Sequence, residues 1–161
     1  MSELTPLDFV QKTHKIKTGG LNSPRRWRGS LKMIVGVGVD IVEVPRIKDA
    51  VLRWKDAFLK RIFTDNEINY SKAKKFAYQH LAARFAAKEA VLKAIGDSSI
   101  KAIEWHEVEV FNDEFGKPFI RLSGEAKKIK EGRKISDIII SMSHTRAFAI
   151  ANAILIKDGR D

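Results

Sequence analysis

The sequence predicts one α+β domain in which an antiparallel sheet packs against a long central helix and shorter helices. Three observations carry that prediction. Hydrophobic periods run in the order strand, helices, hairpin, helix, hairpin, unlike the strand–helix alternation of a doubly wound parallel sheet. The longest helical stretch, Lys75 to Ile95, lies in mid-chain and is rich in Ala, the best helix former. A chain of 161 residues with 44% hydrophobic content fills one compact core and leaves little room for a second.

The first 32 residues stand apart. Gly19 to Ser30, GGLNSPRRWRGS, combines glycines, a proline and a basic cluster, the composition of a linker or an extension. Residues 1–32 hold seven Lys and Arg against Glu3 and Asp8, a net of +5, half of the +10 carried by the whole chain. The domain is expected to begin near Lys32 or Met33, with residues 1–32 a basic N-terminal extension, an arm or an upstream stretch, and 33–161 the folded unit. Met33 to Val39 is a short, largely β-branched run bounded by Asp40, as in a buried strand. Pro45 suits a first helical turn, after which Ile47, Val51, Leu52 and Trp54 recur at helical spacing on a helix that also carries Arg46, Lys48, Arg53 and Lys55. Thr64-Asp65-Asn66-Glu67 fits a capping box and predicts a short helix. The Ala-rich helix then closes at Gly96. Val108 to Phe111 and Phe119 to Leu122 flank turn chemistry from Asn112 to Pro118 and form a hairpin. Ser123 is placed to cap a basic helix through Arg133, and Ile138 to Ser143 and Ala147 to Ile156 are two apolar strands around His144-Thr145-Arg146.

Several chemistries drop out. The chain has no Cys, which removes disulfides, thiolate nucleophiles and Cys-based zinc sites and agrees with a reducing compartment. No apolar run approaches membrane-spanning length and no secretory signal is evident, so a cytoplasmic protein is the expectation. Gly36-Val37-Gly38 starts a dinucleotide fingerprint, but Ile41 stands where the third glycine belongs. Neither a P-loop nor a G-x-S-x-G elbow occurs, and His14, His80, His106 and His144 have no zinc spacing. The net charge predicts an anionic partner: nucleic acid, nucleotide phosphates or an acidic protein.

Among residues that could carry chemistry, Asp40 follows the first strand directly, where it serves either as a cap or turn residue or as a carboxylate at the sheet edge. Helical spacing puts Phe85, Glu89 and Lys93 on one face and Arg84 with Lys88 on a neighbouring one. That group is either a solvated face with a Glu89–Lys93 pair or a phosphate-suited edge. Mg²⁺ takes one or two carboxylates plus phosphate oxygens and waters, and Asp40 with Glu89 could supply the pair. His144, beside Ser143, Thr145 and Arg146, suits a phosphate or base contact and equally a hydrogen-bonded core position.

Together these residues resemble the bacterial holo-acyl-carrier-protein synthases, the small type of 4′-phosphopantetheinyl transferase. Gly36 to Val44 resembles the family's first strand with its metal Asp. Arg84 to Gly96 resembles its central R-F-x-x-K-E-A helix, and Phe63 to Glu67 its short linking helix. Val108 to Val110 through Gly116-Lys117-Pro118, then Ser141 to Thr145, are similar to its hairpin and final strands, so the likeness covers about residues 33–157 in family order.

The resemblance implies the 4′-phosphopantetheinyl transferase-like fold and transfer of the phosphopantetheine arm of coenzyme A to a serine of apo acyl carrier protein. The products would be holo carrier protein and adenosine 3′,5′-bisphosphate, in fatty acid biosynthesis. It implies Asp40 and Glu89 as Mg²⁺ ligands and Lys93 as a phosphate contact and proton donor. Arg84, Lys88, Gly96, His144 and Thr145 would lie near coenzyme A. It further implies Arg46 and Arg53 as docking residues for an acidic carrier protein, and a homotrimer with active sites between subunits. Two departures stand out. Many members follow the central helix with Gly-Thr-Gly, whereas Gly96 here precedes Asp97-Ser98, and an acid beside a phosphate site repels it. The extension 1–32 has no counterpart. Competing readings are a basic nucleic-acid-binding module, prompted by +10 and Pro24 to Arg28 but lacking any helix-turn-helix, zinc or RNP pattern, and a coenzyme A binder without transfer, which the intact Asp40, Glu89 and Lys93 oppose.

Overall fold

A computed structural model describes residues 31–159, so the extension expected over 1–32 lies outside the described residues apart from its last two. The elements are β1 (Lys32–Glu43), α1 (Val44–Ile62), α2 (Asp65–Lys72), α3 (Ala77–Ile95), two short 3-10 turns (Ser98–Ala102 and Trp105–Glu107), β2 (Val108–Asn112), β3 (Pro118–Leu122), α4 (Gly124–Gly132), β4 (Asp137–His144) and β5 (Phe148–Asp158). The predicted order holds, and every pairing is antiparallel: β1, β5 and β4 form one sheet in that order, β2 and β3 a second. No helix among the described residues is long and apolar enough to cross a membrane.

The predicted capping box is complete. The Glu67 N–H donates to Thr64 Oγ1 at 3.3 Å, and the Thr64 N–H to Glu67 Oε2 at 2.9 Å. Two local expectations are not met. Ser123 occupies the N-cap of α4 without a side-chain bond, because Glu107 reaches across and accepts from the Ala126 N–H at 3.1 Å. The helix after Pro45 is broken at Lys55, which sits at φ 45° and ψ −128°.

Helix α3 is the axis of the core, and Lys93 is its only exposed residue. Ala82, Ala83, Ala86, Ala87, Ala90 and Val91 are all buried, and so are Ala149, Ala151, Ala153 and Leu155 on the sheet it packs against. Gly36 and Gly38 make this approach possible. A Cβ at Gly38 would fall on the Ala90 carbonyl oxygen and 2.6 Å from the Ala94 nitrogen, and one at Gly36 on the Ala94 carbonyl. The Gly-Val-Gly of β1 thus serves close strand–helix packing.

Candidate functional site

Alternation along β1 sends Gly36, Gly38, Asp40 and Val42 to the inner face. Because Gly36 and Gly38 bring the strand against α3, Asp40 arrives beside the helix face bearing Glu89 and Lys93. The Lys93 ammonium donates to Asp40 Oδ1 at 2.7 Å and to the Val39 carbonyl oxygen at 3.3 Å. The hydrogen bond to Asp40, with Coulombic help from Asp40 and Glu89, holds the Lys93 pKa above its usual value. The partly buried Glu89 carboxyl is pushed up, first by burial and then by repulsion from Asp40, with Lys93 acting against both. The pair expected between Glu89 and Lys93 along the helix is therefore replaced by a cross-element pair between Lys93 and Asp40.

These three residues open into a cavity of about 630 Å³ between α1 and α3, whose wall also includes Arg46, Arg53, Trp54, Phe58 and Phe85. Asp40, Glu89, Lys93, Arg46 and Arg53, named from the sequence for three different tasks, thus share one cleft. The Arg53 guanidinium lies 5.0 Å from the Trp54 ring centroid. The aromatic wall was missed as a site feature: Trp54 was visible only as one member of a helical period, and nothing in that period says which side of α1 faces a cleft.

The remaining candidates lie outside this wall. Lys88 is not the phosphate-facing cation that helical spacing suggests. It is fully buried, with its ammonium 2.8 Å from Glu67 Oε2 and donating to the Val108 and Trp105 carbonyl oxygens at 2.6 and 3.0 Å. Burial pushes its pKa down against the pull of Glu67. Arg84 is likewise buried, donating to Asn112 Oδ1 at 2.6 Å and lying 4.0 Å from the Tyr70 ring centroid, while its Nε has no protein partner. Near it the His80 and His144 rings meet edge to face at 5.0 Å. Burial first, then His144, Arg84 and Lys74, lowers the pKa of His80. Thr145 organises the β4–β5 turn, its Oγ1 accepting from the Ala147 and Phe148 N–H groups at 3.2 and 3.1 Å. Gly96 ends α3 in the left-handed region at φ 74°, donating to the Leu92 carbonyl oxygen at 3.0 Å.

The donor set fits a hard divalent cation. Among the described residues no cluster of three or more His, Asp or Glu side chains exists to cage an ion. Two neighbouring carboxylates with room left for substrate oxygens match the way Mg²⁺ is held.

A sequence model described as the 4′-phosphopantetheinyl transferase superfamily matches residues 36–151. The holo-[acyl-carrier-protein] synthase of Halothermothrix orenii is 47% identical over 119 residues, 74% of this chain and 94% of that relative. That of Koribacter versatilis is 44% identical over 123 residues, 76% of this chain and 98% of the relative. Among solved structures, the Bacillus anthracis holo-(acyl-carrier-protein) synthase in complex with CoA (3′,5′-ADP) aligns with a TM-score of 0.64 at 37% identity, covering 78% of this chain and 99% of that one. The Helicobacter pylori synthase in complex with coenzyme A aligns at 0.65 and 31% identity, covering 74% and 98%. The antiparallel α+β architecture, the strand Asp beside the central helix and these likenesses agree: the chain belongs to the 4′-phosphopantetheinyl transferase superfamily, and within it to the holo-[acyl-carrier-protein] synthases.

Proposed function

We propose that the cleft between α1 and α3 transfers the 4′-phosphopantetheine arm of coenzyme A to a serine of an acidic apo acyl carrier protein, with Mg²⁺ held by Asp40 and Glu89. The observation that carries this reading is the convergence of Asp40, Glu89 and Lys93 at a cavity whose opposite wall bears Arg46 and Arg53. The serine hydroxyl gives up its proton to a carboxylate of the site or to water as its oxygen bonds to the β-phosphorus, and the bond from that phosphorus to the bridging oxygen breaks, releasing adenosine 3′,5′-bisphosphate. When bound, Mg²⁺ supplies positive charge to pyrophosphate oxygens as negative charge accumulates. Lys93, kept protonated by Asp40, is placed to neutralise a phosphate oxygen and to protonate the departing group. Arg46 and Arg53 are exposed on α1 and present positive charge to an acidic carrier helix. Arg84, His144, Thr145 and Gly96 remain proposed neighbours of the nucleotide. A homotrimer accounts for the apolar outer face of the large sheet, and a cytoplasmic enzyme of fatty acid biosynthesis accords with the activity.

The test is to incubate the full-length protein with apo carrier protein, coenzyme A and Mg²⁺ and to follow the carrier by mass spectrometry. Gain of one phosphopantetheine arm is expected. D40A and E89A should each lower Mg²⁺-dependent turnover by at least about 10²-fold while remaining folded. An unmodified carrier with wild-type protein defeats the reading, and full activity in either variant defeats the metal assignment.

A further inference from the structure

The loop after α3 holds an ion pair for which the transfer site gives no reason. Asp97 follows Gly96, just beyond the turn that carries Lys93, and its Oδ1 accepts from the Ser99 N–H at 2.9 Å to cap the 3-10 turn Ser98–Ala102. Arg133, the C-cap residue of α4, reaches this loop from far along the chain. Its Nη1 donates to the Ile95 carbonyl oxygen at 2.7 Å, and its Nη2 donates to the Asp97 carboxylate and, at 3.4 Å, to Ser99 Oγ.

Two negative features therefore meet at the end of α3: the carboxylate of Asp97 and the carbonyl end of the helix, where the macrodipole is negative. Both lie at the end of the helix whose last turn carries Lys93, and both repel an approaching pyrophosphate. One guanidinium touches both. The Asp97 side chain is 52% exposed, so the pair contributes little to stability as a surface ion pair. Its charge placement matters more for an anionic substrate arriving at this end of the helix.

We propose that Arg133 is a positioning residue for coenzyme A: it cancels the Asp97 charge and caps the carbonyl end of α3, so that the loop after the helix admits a pyrophosphate despite its acid. This inference rests on the coenzyme A reading of the site. In the carrier-modification assay, initial rates are measured against coenzyme A concentration for wild type, R133Q, R133K, D97N and D97N/R133Q, with the melting temperature of each. R133Q should raise the KM for coenzyme A about three- to tenfold and leave kcat within about twofold. The rise should shrink with added salt, be smaller in R133K, and be reversed in large part in D97N/R133Q, where only the uncapped carbonyl end of α3 remains. An unchanged KM in R133Q overturns the proposal. So does a double variant as impaired as R133Q, which would leave Arg133 a helix cap alone. Should R133Q not fold, D97N decides: with Arg133 in place it should lower the KM for coenzyme A, and an unchanged or raised value overturns the proposal. A wild-type protein that never modifies the carrier defeats the proposed function instead, independently of Arg133.

Discussion

Lys88 and Lys93 sit five positions apart on one helix and end in opposite environments. Lys93 stays half in solvent, its ammonium joined to Asp40, whereas Lys88 is sealed among α2, the second 3-10 turn and β2, where Glu67 and two carbonyls take all three of its protons. Glu67 is equally committed, accepting in addition from the Thr64 and Val110 N–H groups at 2.9 Å each. The pair is a staple between elements distant in sequence. K88A leaves Glu67 buried without its cation and should cost roughly 3–5 kcal/mol of stability, with much of that recovered in K88M/E67Q, as read by urea unfolding. Wild-type stability in K88A would refute the staple. Helical spacing showed that Arg84 and Lys88 share a face. It could not show that α2 and the β2–β3 hairpin cover that face, because the covering residues lie 14 to 28 positions away.

At the scale of elements, the decisive contact is β1 against α3. Asp40 meets Lys93 only because two glycines let the strand lie on the helix backbone and alternation then turns the carboxylate inward. G38A places a methyl group against backbone atoms that cannot swing aside. It should cost about 1–3 kcal/mol as overpacking, and it should lower kcat/KM further than thermal destabilisation explains, by shifting Asp40 relative to Glu89. Paired melting and rate measurements at a temperature where the variant is folded separate the two, and unchanged turnover there would contradict the role given to the glycines. The capping box and the Gly96 terminus were legible because they depend on a few adjacent residues. The break at Lys55 was not, because a lysine carries no local signal for a positive φ; neither was the substitution of Glu107 for Ser123 as the cap of α4.

At the scale of the whole molecule, the large sheet is finished on one side only. Its inner face is covered by α3, while the outer face presents Val37, Val39 and Ile41 from β1 beside Phe148 and Ile150 from β5 and Ile139 from β4, all between 44% and 65% exposed. So many apolar side chains in register on neighbouring strands are unusual for a monomer surface. The homotrimer proposed above would cover them. Wild type should sediment as three copies, and I41D/I150D, which puts like charges on a facing pair, should sediment as a monomer with an unchanged far-ultraviolet spectrum and greatly reduced transfer activity. A monomeric wild type would overturn the assembly, and a trimeric double variant would move the interface elsewhere.

The sequence by itself determined the element order, the capping box of α2 and the end of α3, the α+β class and, through resemblance, the family, and it nominated Asp40, Glu89 and Lys93 as candidates. These depend on periodicity, caps and motif spacing, which act over a few neighbours or are carried by residue identity. Only the tertiary structure decided that Lys93 pairs with Asp40, that Lys88 is a buried staple, that Gly36 and Gly38 serve packing, and that Arg133 meets Asp97. Each of those outcomes turns on which distant segment covers a given face, and burial, unlike periodicity, is a property of the folded chain. The fold class predicted at the outset therefore stood, while the assignment of individual cations within it was settled by packing.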